Sequence, residues 1–202
     1  MTLSDPRETQ DSSAVYKSFG LNALLDRVQG DRTYSILDLG PALDANVRFW
    51  SQFSCRLHFY DFYRSYREWK SSVVPGEESE AAAFSSLLLF PEETVFDIIL
   101  AWDLLNYFDL PELEALVQRL SRWCRPGTLL FALISSLPSI PALPILFRIL
   151  DREQMILEIP TRETRPCPRY EPRDIARLMA GFTVASSFLS RRGIREYVFA
   201  FK

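Results

Sequence analysis

The stretch Tyr34-Ser-Ile-Leu-Asp-Leu-Gly40, with Pro41-Ala-Leu-Asp44 behind it, decides how the rest of the chain is read. A short β-rich run stops at a glycine, where the backbone can turn tightly. Asp44 is then placed to cap a helix running to Phe53. A strand that hands over to a helix in this way opens an alternating α/β chain.

Downstream the alternation repeats. Arg56-Leu-His-Phe-Tyr-Asp61 reads as a second strand, Tyr63 to Ser72 as a helix, and Ser85 to Phe90 as a third strand. Phe96-Asp-Ile-Ile-Leu-Ala-Trp102 is largely apolar, as a strand covered on both faces should be. Leu113, Leu116, Val117 and Leu120 mark one face of a helix that Pro111 opens near its first turn. Arg125-Pro-Gly127 leads into a fifth strand, Thr128 to Ile134, and Glu171 to Met179 predicts a short amphipathic helix. Phe182–Leu189 and Ile194–Phe201 are separated only by a turn at Arg191-Arg-Gly193. That is too short for a parallel crossover, so the pair is read as an antiparallel hairpin.

Upstream, Val15, Phe19, Leu21, Leu24, Leu25 and Val28 predict a helix over Ser12–Val28, weakened or split by Gly20. Residues 1–11 are polar and read as a flexible tail, leaving 12–202 as a single domain. A chain of 202 residues with 48% hydrophobic and 24% charged residues carries one sizeable core.

A net charge of −3 and a pI near 5.3 argue against a general nucleic-acid binder. Cys55, Cys124 and Cys167 form no CxxC pair, and the first residues lack an export-signal pattern, so a reducing, cytoplasmic setting is expected. Leu129 to Leu150 approaches the length of a membrane span, yet Pro138, Pro141 and Pro144 break it. A buried strand followed by a proline-rich loop is expected there, with no membrane span. No HxxxH, paired-carboxylate or GxSxG pattern supports a metal site or a serine nucleophile. His58 reads as a packed histidine.

The expected fold is therefore α/β and doubly wound, with a mainly parallel sheet and a C-terminal antiparallel hairpin. From Ser12 to Lys202 this order resembles the seven-stranded, Rossmann-like class I S-adenosylmethionine-dependent methyltransferases. The resemblance is carried by Ile36-Leu-Asp-Leu-Gly40, by Phe96 through Phe108, by Arg125-Pro-Gly127-Thr-Leu-Leu and by the C-terminal end. Parallel sheets bind ligands beyond the carboxyl ends of their strands, where strand order reverses. Asp61 follows Gly40 by roughly 20 residues, the interval at which a carboxylate reaches a ribose hydroxyl in dinucleotide folds.

The resemblance implies S-adenosylmethionine as cofactor, with Asp61 on its ribose and Phe62 against its adenine. It also places Asp38, Gly40, Pro41 and Ala42 around the glycine loop and Trp102 and Asp103 near the methionine part. Asp103 and Tyr107 are candidate general bases. The sequence departs from the family in Ala42 and Asp44, which stand where further glycines are usual, and in Ser85 and Ser86, which stand where an acidic residue is common. Three readings stay open: a methyltransferase acting on a small molecule or a side chain, a non-catalytic interaction module of the same fold, and, third, a nicotinamide-dependent oxidoreductase, whose three-glycine fingerprint the single-glycine loop fits worse still. Ser135–Leu150 is placed near the substrate side, as a lid, a protein-partner surface or a braced loop.

Overall fold

The protein is described here from a computed structural model, over residues 13–28, 30, 32–72, 84 and 86–202. The expected tail at 1–11 lies outside them. The central sheet has six strands in the order β10-β11-β5-β4-β2-β3. They are β2 (Tyr34–Asp38), β3 (Cys55–Phe59), β4 (Ile98–Trp102), β5 (Leu129–Ser135), β10 (Phe182–Leu189) and β11 (Ile194–Phe201). Strands β3, β2, β4 and β5 pair in parallel, and β11 pairs antiparallel with both β5 and β10. The C-terminal hairpin is as the sequence predicts.

The parallel strands read as continuous apolar runs because successive residues enter two different cores. Leu37, Ile99, Leu130 and Ala132 face one core, which is completed by α3 (Phe62–Ser72), α4 (Leu110–Ser121) and α5 (Pro172–Leu178). Ile36, Ile98, Leu100, Phe131 and Leu133 face the other. That side is covered by α1 (Phe19–Leu25), α2 (Asp44–Trp50) and a second sheet, β1 (Ser13–Lys17), β8 (Gln154–Glu158) and β7 (Leu146–Ile149). A small antiparallel pair, β6 (Ser139–Pro141) with β9 (Thr164–Pro166), completes the strands.

Three sequence expectations are corrected. Ser13–Lys17 is not helical: it pairs antiparallel with β8, and Ser18 rather than any earlier residue caps α1 by accepting from the Leu21 amide at 3.0 Å. Among the described residues of Ser85–Phe90 there is no strand. Phe84 and Leu88 are both fully buried at helical spacing, and a Leu88–Phe84 backbone bond of 3.2 Å closes the turn. The described sheet therefore has six strands, not seven. Asp44 does not cap α2; it lies in the first turn, and Leu43 occupies the cap without a side-chain bond.

The proline-rich segment is more ordered than a braced loop. Its end becomes β7, and the side chain of Asn46 on α2 ties it down by donating to the Phe147 carbonyl at 3.0 Å and accepting from the Ile149 amide at 2.9 Å.

Candidate active site

Strand β2 lies between β3 and β4, so the chain leaves β2 toward one side of the sheet and returns on the other. The crevice at that reversal opens beyond the strand ends. A cavity of about 520 Å³ lies there, within the range of small-molecule sites. Its floor is made by Leu39, Gly40 and Pro41 after β2, Asp61 after β3, and Ala101, Trp102 and Asp103 at the end of β4. The exposed side of α3 (Tyr63, Arg64, Arg67, Glu68, Ser71) forms one wall, and Leu143–Phe147 of the proline-rich segment forms the other.

Gly40 is held by close approach. A Cβ there would lie 3.2 Å from Asp38 Oδ1 and 3.3 Å from Trp102 Cδ1, tighter than ordinary contact. Asp38 is buried and does not reach the cavity wall. Its Oδ1 accepts from the Gly40 amide at 2.9 Å and from Trp102 Nε1 at 2.6 Å, tying the β2 turn to the tip of β4. Burial lifts its carboxyl to about 6, against the lowering effect of those donors. Trp102 pays for this tie with a φ of +49, the one positive φ among described non-glycine residues. Its indole stacks on Phe147 with centroids 5.4 Å apart.

Asp61 is on the cavity wall, where its carboxylate accepts from the Arg64 amide at 3.3 Å and pairs with the Arg64 guanidinium at 3.6 Å. The two departures in the glycine loop do not close the cavity. Ala42 is exposed and off the cavity wall, and neither Ala42 nor Asp44 has a positive φ.

Phe62 is a correction: it is fully buried, with its ring in the core against Phe84 and Phe108, because the first turn of α3 points it inward. Tyr63, one residue on, is the aromatic group that α3 presents to the cavity. Tyr107 is a second correction. It does not line the cavity, its hydroxyl donates to the Leu143 carbonyl at 2.8 Å, and burial with the neighbouring Asp103 drives its pKa far upward, so it is no base at ordinary pH. Asp103 does line the cavity and is 7% exposed. Its Oδ2 accepts from the Ile145 amide at 3.1 Å, and burial raises its carboxyl to about 7.

Sequence reasoning missed Asn46, Tyr63 and Arg67. The α3 pair was legible in principle, since Tyr63 and Arg67 are one helical turn apart and the guanidinium sits 5.9 Å from the ring. Asn46 gave a weaker signal, a polar residue on the buried stripe of a short helix. His58 is packed between Phe90 and Phe96, as expected of a structural histidine. No helix of the described residues is long and apolar enough to cross a membrane.

The family model described as a methyltransferase domain matches residues 15–187. No curated protein matches the chain. Among solved structures, the PH0226 protein from Pyrococcus horikoshii OT3 aligns over 91% of this chain and 89% of its own, with 14% identity and a TM-score of 0.54. An S-adenosylmethionine-dependent methyltransferase from Clostridium acetobutylicum ATCC 824 aligns over 90% of each chain, with 11% identity and a TM-score of 0.51. Both likenesses are likenesses of fold.

Proposed function

The chain belongs to the class I S-adenosylmethionine-dependent methyltransferase family, and from that premise we propose that it moves a methyl group from S-adenosylmethionine to a small molecule or a side chain. The observation that carries the reading is the cavity at the strand-order reversal, with a bare glycine and the Asp61 carboxylate on its wall. The residues fit the cofactor. Gly40 leaves backbone exposed where a nucleoside would lie, Ala42 is out of the way, and Asp61 can accept from two ribose hydroxyls while Arg64 steadies it. The carboxylate of Asp61 and the rings of Tyr63 and Trp102 suit a ligand bearing a sulfonium and an ammonium.

When bound, the cofactor supplies an electrophilic methyl group on sulfur. Transfer of that group depends above all on holding the nucleophile in line with it. The chain contributes that alignment through a floor fixed by the Asp38–Trp102–Gly40 tie and a wall of Leu143, Ile145 and Phe147, which keeps water off the reacting atoms.

Isothermal titration of the purified protein with S-adenosylmethionine is expected to give a saturable heat. Asp61→Ala is expected to weaken binding by about 10- to 100-fold, the worth of hydrogen bonds to a charged group. No heat at millimolar ligand would remove the enzymatic reading; an unchanged affinity in the variant would remove Asp61 from it.

A further inference from the structure

The wall made by Leu143–Ile145 is held in an unusual way. Pro144 has no amide to donate, and the groups on either side of it are bound by Asp103, next after β4, and by Tyr107 at the end of the 3-10 turn Leu104–Tyr107 that follows. Tyr107 donates to the Leu143 carbonyl at 2.8 Å, and the Ile145 amide donates to Asp103 Oδ2 at 3.1 Å. Tyr63 adds a long 3.4 Å bond to the Ala142 carbonyl from α3. A strap over a cavity is thus fastened at its centre by a carboxyl and a phenol.

Those two fasteners share a proton donor. Tyr107 Oη lies 2.8 Å from the Leu143 carbonyl and 3.4 Å from Asp103 Oδ2, and a phenol has one proton to give. The other carboxyl oxygen, Asp103 Oδ1, is buried without a hydrogen-bond partner. A negative charge on Asp103 would strengthen the bond from the Ile145 amide, but it would rest partly on an unsolvated oxygen and would draw the phenol proton away from Leu143, and the desolvation outweighs the one strengthened bond.

We propose that Leu143–Ile145 is a lid latched by Tyr107 and Asp103, closed while the Asp103 carboxyl is neutral and released when that carboxyl ionises. Asp38, whose carboxyl burial also lifts to about 6, accepts from Trp102 Nε1 beside the latch, and Asp103→Asn tells its titration from that of Asp103. On the turn of Asp103 stands Tyr107; from α3 comes Tyr63; and from β9 comes Arg165, 5.8 Å from the Tyr107 ring and bonded to the Tyr107 carbonyl at 3.4 Å. Across the cavity are Asp61, Arg64, Arg67 and Glu68 on its far wall. The strap from Leu143 to Phe147 carries no titratable side chain.

The direction follows from linkage. Closure raises the Asp103 carboxyl to about 7 by burial, whereas an open strap lets water hydrate it and return it toward the ordinary carboxylate range. Opening therefore becomes more favourable as pH rises from the ordinary carboxylate range up to about 7, and levels off above that.

Amide hydrogen exchange of the ligand-free protein tests this, with rates corrected for the intrinsic pH dependence. Between pH 5 and 7 the Ile145 amide is expected to lose at least about tenfold in protection, while Leu130–Leu133 of β5 stay constant. Asp103→Asn should remove that slope, because the amide cannot ionise. Tyr107→Phe should lower strap protection at every pH while keeping the slope. An equal slope in Asp103→Asn and wild type, or strap exchange as slow as that of β5, overturns the proposal. Should the asparagine variant not fold, carbon-13 titration of Asp103 in the wild type decides: a midpoint above 6 supports the latch, and one at or below 6 overturns it. None of these readouts involves a cofactor, so their outcome is separate from that of the binding titration.

Discussion

Gly20→Ala is expected to destabilise the protein by about 3 kcal/mol or more, although alanine is the better helix former. A Cβ on residue 20 would lie 2.6 Å from Glu196 Oε2, 2.9 Å from Glu196 Cβ and 2.9 Å from Phe131 Cε2. None of these atoms is free to yield. Glu196 is 1% exposed, and its carboxylate accepts from Tyr16 Oη at 2.8 Å, Ser18 Oγ at 2.6 Å and the Gly20 amide at 2.6 Å. Phe131 is a core residue of the central strand β5. The helical gain of about 1 kcal/mol is opposed by overpacking of about 1–3 kcal/mol and by donors left unpaired at about 1–3 kcal/mol each. Urea denaturation measures the balance. A midpoint equal to or above that of the wild type would show that the close approach of α1 to β11 is not fixed by the missing side chain.

The same glycine shows what sequence reading can and cannot reach. By periodicity Gly20 looks like a flaw in a long helix, because the pattern shows only local neighbours. Its reason is a carboxylate on the last strand, far away in sequence. The error at Ser13–Lys17 has the same origin: a run with plausible helical spacing is drawn into a sheet by pairing with β8. The parallel strands and the terminal hairpin were legible because burial on both faces and tight turns leave local marks.

The site divides the same way. Gly40 and Asp61 stand at strand ends, and strand ends can be read; both are on the cavity wall. Phe62 was misplaced because one residue of register at a helix start turns a ring from the ligand side into the core. The role of Tyr107 was hidden since its partner, the Leu143 carbonyl, is a backbone group in another segment.

Trp102→Phe and Trp102→Gly separate the two tasks given to the tip of β4, and the glycine variant is the costlier. Glycine relieves the left-handed backbone, which costs an ordinary residue about 1–2 kcal/mol. Losing a buried aromatic ring costs about 3–5 kcal/mol, and leaving Asp38 without the indole donor costs about 1–3 kcal/mol more, so Trp102→Gly should still lose about 2–7 kcal/mol of stability. The Phe147 ring loses its stacking partner and the lid side of the cavity its backing. Phenylalanine keeps an aromatic ring there but has no N–H for Asp38 Oδ1, whose companion oxygen is already without a partner. That variant should cost about 1–3 kcal/mol, and its effect should reach the cavity, because Asp38 then holds the Gly40 turn alone. Paired urea denaturation and cofactor titration are the measurements. If Trp102→Phe matches the wild type in both, the indole N–H does not organise the site. If it loses affinity beyond its loss of stability, the strain at residue 102 persists because it holds the nucleoside floor and the lid in one arrangement.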